Sequence, residues 1–101
     1  MYTKVYMSDA FGWDEEKRCR IRATRKFDLL YAARIFKGRV LTQVDERLQY
    51  GEIRYISIRE VEGEYFVVVH ATRPNAVRLI TAWRASRRTR QRYQAHFVGR
   101  A

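Results

Sequence analysis

At 101 residues and 47% hydrophobic content, the chain is long enough for one small packed domain and too apolar for disorder. Its 21 Lys and Arg against 11 Asp and Glu give a net charge of +10, which suits a polyanionic partner. The single cysteine, Cys19, excludes an internal disulfide, no Cys/His spacing suits a metal, and no apolar run approaches the ~20 residues of a membrane span.

The opening "MYTKVYMSDAFGW" lacks the apolar core of a signal peptide. The expectation is a cytoplasmic protein needing no metal or cofactor, folded as a single domain over residues 1–101. Asp14 is placed to cap a helix with Glu15 and Glu16 in its first turn and Lys17, Arg18, Arg20 and Arg22 behind them, the polarity that the helix dipole favours. Asp28 caps a second helix, "LLYAARIF", with Leu29, Ala32, Ala33 and Phe36 on one face and Gly38 as its stop. The period then changes from helical to alternating. "VLTQVD" is a short strand. In "EIRYISIRE", Arg54, Ile56 and Ile58 point one way. "EGE", Glu62 to Glu64, is a tight hairpin connection, and "YFVVVHA" is apolar enough to be a central strand covered on both faces. "TRPNAV" is a turn. Strict alternation in "AVRLITAWR" puts Val77, Leu79, Thr81 and Trp83 on one side, with Arg78, Ile80, Ala82 and Arg84 on the other. Ser86 caps a last helix on which Tyr93 and Phe97 share a face toward the sheet. The order predicts an α+β domain: two N-terminal helices, an antiparallel meander of about four strands and a C-terminal helix.

Charge is distributed unevenly. Every acid lies at or before Glu64. From Tyr65 onward the only charged side chains are arginines: Arg73, Arg78, Arg84, Arg87, Arg88, Arg90, Arg92 and Arg100. Arginine's planar fork matches phosphate oxygens and stacks on bases. Crowding four of them at a helix start, against the positive end of its dipole, is locally unfavourable and calls for an anionic partner there.

Three stretches carry a resemblance. "FGWDEEK" from Phe11, "GEIRYISI" from Gly51 and "VRLITAWRASRRTRQRY" from Val77 resemble motifs of the BrnT toxins of bacterial type II toxin–antitoxin systems. The resemblance implies a RelE-like fold and an mRNA-cleaving endoribonuclease that attacks through the 2′-hydroxyl without metal. It also implies a BrnA-type antitoxin that carries the DNA-binding part, so that operator DNA is reached only through the complex. A non-catalytic nucleic-acid- or antitoxin-binding module of the same fold is the alternative. The chain departs from the family at Ile21, where an Asn is usual, at Thr24-Arg25-Lys26, where the family has K-H-G, at Leu48-Gln49, where it has H-S, and at Thr89, where a Glu would complete a capping box.

Candidate residues follow. Arg84, ending a strand where the last helix begins and on the same face as Arg78, is expected to clamp the reacting phosphate or to pair with Glu52. Arg54, placed by alternation at a strand's beginning, is the next catalytic candidate at an active-site mouth, or else a solvated strand end. Glu52 is a general base or an ion-pair partner of either arginine. His70 titrates in the useful range but ends a very apolar strand. Arg78, Arg87, Arg88 and Arg90 are expected to hold RNA. Tyr93 either stacks a base or packs in the core.

Overall fold

The computed structural model describes residues 2–5, 10–47 and 51–97. Leu48, Gln49, Arg100 and the side chain of Phe97 lie outside the described residues. Strands β1 (Tyr2–Val5) and β2 (Phe11–Gly12) precede helices α1 (Glu15–Arg25) and α2 (Leu29–Ala32). A 3₁₀ turn (Ala33–Lys37), β3 (Arg39–Val44), β4 (Tyr55–Val61), β5 (Glu64–Arg73), β6 (Ala76–Arg84) and α3 (Arg87–Phe97) follow. The strands form one sheet in the order β1-β3-β4-β5-β6-β2. The α+β class and the meander β3–β6 match the sequence expectation. The short strands β1 and β2 extend the sheet at its two edges, and β2 pairs in parallel with β6.

Local signals account for the boundaries. The Asp14 carboxylate accepts from the Glu16 amide at 3.0 Å, and α1 ends at Lys26, whose φ of 64° is left-handed. Asp28 accepts from the Leu30 amide at 2.9 Å. It also accepts from Arg18 Nε at 3.0 Å, Arg18 Nη2 at 2.9 Å and Arg22 Nη2 at 2.8 Å, tying α1 to α2. The Arg18 guanidinium holds the Asp28 carboxyl well below the usual carboxylate range. The helix expected over "LLYAARIF" is α-helical only to Ala32. Its second half tightens to 3₁₀ and sends Ala33, Ile35 and Phe36 into the core. It does stop at Gly38, but with extended backbone (φ −153°). The Arg59 guanidinium lies 2.6 Å from where a Cβ would stand, so close approach explains the glycine there. Glu62 and Gly63 both have positive φ, 49° and 88°, as a two-residue hairpin turn requires.

The sheet is covered on both faces, and β5 is buried from Phe66 to Ala71 as expected of a central strand. On one face Ile21, Leu29, Phe36, Phe66, Val68, Leu79 and Ala82 pack beneath α1 and α2. On the other, Leu41, Ile58 and Val67 pack with Trp83 and Tyr93 of α3.

Candidate nucleic-acid interface

The register of β5 and β6 decides where the arginines point. Val69 pairs with Thr81 but His70 pairs with Leu79, so Ile80 is an extra residue, a β-bulge. Directly paired residues share a face. Val67 pairs with Trp83 on the α3 side, and Val68 with Ala82 on the α1 side. Beyond the bulge the parity of β6 reverses: Leu79 returns to the α1 side and Arg78, opposite Ala71, lies on the α3 side. Arg78 and Arg84 therefore occupy opposite faces. This corrects the shared face expected from unbroken alternation.

Arg84 sits at the far end of β6, against the C-terminus of α1. Its Nη1 donates to the Arg25 carbonyl at 2.7 Å and its Nη2 to the Lys26 carbonyl at 3.5 Å. Its guanidinium lies 5.1 Å from the centroid of the Phe27 ring. Its Nε stands 3.8 Å from Glu64 Oε2, so its carboxylate neighbour is Glu64 where Glu52 was expected. In return Arg25 Nη1 donates to Thr81 Oγ1 at 2.9 Å and to the Ala82 carbonyl at 2.6 Å. The edge of β6 is open to this because β2 pairs only with Val77 and Arg78. The two arginines cross-latch α1 to β6, each satisfying carbonyls that the other element leaves unpaired at its end or edge.

At the other end of β6, where β2 pairs with Val77 and Arg78, a polar cleft of about 320 Å³ opens near the end of β5 and the chain entering β4. Lys17, Arg54, Arg73 and Arg78 line it with Asp14 and Glu52, four cations to two acids. Arg73 Nη1 donates to Glu52 at 2.9 Å, so Glu52 pairs with Arg73 and the expected partnership with Arg84 or Arg54 gives way to it. Arg54 lies just before β4, its carbonyl accepting from the Asp45 amide at 2.8 Å. The Arg78 side chain runs beside Gly12, opposite it in β2. α1 runs parallel to β6 between the two clusters, with Lys17 at the cleft and Arg25 at the latch.

The other candidates are placed apart. His70 is fully buried, edge-on to Phe36, with Nε2 2.7 Å from Ser57 Oγ, which is 2.7 Å from Thr42 Oγ1. That makes it a core histidine in a hydrogen-bonded chain. Tyr93 packs against Tyr65, ring centroids 5.6 Å apart, and burial pushes its phenol up, away from ionisation. Arg87, Arg88, Arg90 and Arg92 are exposed on α3, and Arg90 lies over the Tyr65 ring. Ser86 Oγ accepts from the Thr89 amide at 3.2 Å and donates to Thr89 Oγ1 at 3.0 Å, so threonine partly replaces the missing glutamate of the capping box. Sequence reasoning gave no role to Arg25, Lys17 or Arg73. The first lies in the stretch that departs from the family pattern, which was its only signal.

Fold and charge together define a small basic α+β domain with arginines clustered at both ends of β6, the form of a domain that meets a polyanion. The family model for the BrnT ribonuclease toxin of type II toxin–antitoxin systems matches residues 13–89, and the chain belongs to that family. No curated protein matches it. Family membership makes it a ribonuclease toxin with an RNA target and a protein antitoxin. Among the described residues no helix is long and apolar enough to cross a membrane.

Proposed function

We propose that the chain cleaves mRNA through the 2′-hydroxyl, with the reacting phosphate held at the Arg25–Arg84 latch and the flanking phosphates in the cleft of Lys17, Arg54 and Arg78. The observation that carries this reading is the meeting of Arg84 with Arg25 and Lys26. The last strand's arginine, part of the most specific stretch of the resemblance, touches the stretch where the family has K-H-G. Two exposed arginines at one junction, each guanidinium fixed by carbonyls of the other element, present preorganised positive charge where the pentavalent phosphorane develops negative charge. The 2′-oxygen attacks phosphorus as its proton passes to the Glu64 carboxylate. The 5′-oxygen leaves and takes a proton from water, and the hydroxide so formed recovers the proton held by Glu64. The products are a 2′,3′-cyclic phosphate and a 5′-hydroxyl. Glu52 orients Arg73 in this reading, and buried His70 contributes only to the core. The cleft's excess of cations favours phosphate over a metal ion, so cleavage is metal-independent. The α3 arginines face RNA or an acidic surface of a BrnA-type antitoxin, and operator DNA is met only in that complex, in the cytoplasm.

The test is purified protein on a short single-stranded RNA with EDTA present. Cyclic-phosphate ends and complete protection by a 2′-deoxy substitution at the scissile nucleotide support the reading. Dependence on added metal refutes the mechanism. Tight, salt-sensitive binding without cleavage assigns the chain to the non-catalytic alternative.

A further inference from the structure

A groove of about 190 Å³ opens on the α3 face of the sheet, away from the latch and the cleft. Its floor is Leu41, Ile56, Ile58 and Val67, and one wall is the half-buried indole of Trp83. Gln43, Thr89, Arg47 and Arg92 form its polar rim. Arg47 is not a loose surface cation. Its Nε and Nη2 donate to the two oxygens of the buried Asp45 carboxylate at 2.8 and 2.9 Å, and its guanidinium is held 5.4 Å from the Trp83 ring centroid. Trp83 immediately precedes Arg84, and Thr89 and Arg92 belong to the helix that begins just after it.

We propose that this groove holds one unstacked base of a single-stranded RNA against Trp83, an inference that rests on the RNA-cleaving reading above. An apolar floor with a few placed polar groups is the usual form of a small-ligand site. A groove of this size takes one planar ring system. An extended peptide needs a longer furrow, and an aliphatic anchor from a protein would leave without a use the amide of Gln43 and the proton of the Thr89 hydroxyl, whose oxygen accepts from Ser86. A base uses both: its face lies on the indole and its edge meets the amide, hydroxyl and guanidinium groups. Arg87 and Arg88, exposed at the start of the helix that supplies Thr89 and Arg92 to the rim, add cations for the flanking phosphates.

The probes are six-nucleotide 2′-O-methyl oligomers of U, C or A, which bind without being cut, and a six-phosphate abasic oligomer. Quenching of indole fluorescence that vanishes in Trp83→Phe is expected with the base-bearing oligomers and not with the abasic one. The base-bearing oligomers should also bind on the order of tenfold more tightly. Gln43→Ala should change the ranking of U, C and A without lowering the affinity for the abasic oligomer. Equal binding of base-bearing and abasic oligomers, or quenching that persists in Trp83→Phe, overturns the proposal. Base-dependent quenching by wild type that survives in Arg84→Ala supports it even if no RNA is cut. Cleavage without base-dependent quenching overturns it and leaves the cleavage reading standing.

Discussion

Arg84 carries two duties in this structure, and they separate on measurement. Arg84→Ala removes a charged hydrogen bond to the Arg25 carbonyl and the contact with the Phe27 ring. A hydrogen bond from a charged group contributes ~1.5–3 kcal/mol, and the 45% exposure of this side chain puts it at or below the low end. The cation–ring contact adds ~0.5–1 kcal/mol at such a site. The expected loss is therefore about 2 kcal/mol, or a fall in Tm of roughly 8–16 °C for a domain of this size. Against the ~5–15 kcal/mol by which domains of this kind are stable, the variant remains almost wholly folded at 25 °C.

Any loss of cleavage at 25 °C is then a loss of chemistry. Removing one preorganised donor from a developing oxyanion costs ~10²–10³ in rate. Urea unfolding gives the first number, and single-turnover cleavage of a fixed RNA at 25 °C gives the second. Arg84→Lys should recover part of the stability but little of the rate, because an ammonium keeps the charge without the fork. Cleavage by Arg84→Ala within about fivefold of wild type would remove Arg84 from the reaction centre, whatever its stability. An unchanged Tm would instead refute the latch.

Two further outcomes follow from single sites. Asp28 is depressed in the folded state chiefly by its hydrogen bonds from Arg18, so its contribution is present above its unfolded pKa of about 4 and is lost as pH falls through the lower folded value. Asp28→Asn keeps an acceptor for the Leu30 amide but loses the charge, and should cost about 1–2 kcal/mol at pH 7 and flatten the acid limb of the stability curve below pH 4; an acid limb identical to wild type in pH-dependent urea titrations contradicts this. Thr89→Glu completes the capping box begun by Ser86 and places an acid in a first turn that has none, which should raise stability by ~0.5–1 kcal/mol. A lower Tm for that variant by calorimetry would mean that the Ser86–Thr89 pair is already the better cap.

Most elements were legible because their signals are local. Asp14, Asp28 and Ser86 cap the helices they were expected to cap, and Glu62-Gly63 makes the hairpin. The short strands were not legible. Phe11–Gly12 is two residues long and exists as a strand only because β6 lies beside it. The helix over "LLYAARIF" was half legible: its apolar face was right, and its tightening to 3₁₀ answers to the core it enters. For the site, residue types were legible and groupings were not. Glu52 and Arg54 were correctly suspected of sharing a neighbourhood, but the carboxylate turns to Arg73, a residue 21 positions away that no periodicity connects to it.

The bulge at Ile80 shows why the grouping failed. Alternation is a parity rule, and one inserted residue reverses parity for everything beyond it. Nothing in "VRLITAWR" announces the insertion: there is no glycine, and each residue is at home in a strand. The core accounts for the bulge. Val77, Leu79 and Ala82 all pack beneath α1 and α2, and no unbroken strand can send positions 77, 79 and 82 to one face. Read backwards, the three small and branched apolar residues at that odd spacing were the available signal. The functional consequence is direct. Without the bulge, Arg84 would share the α3 face with Arg78, far from the carbonyls that end α1. With it, Arg84 meets Arg25, while Trp83, the next residue back, is turned to the opposite face and the groove beside α3.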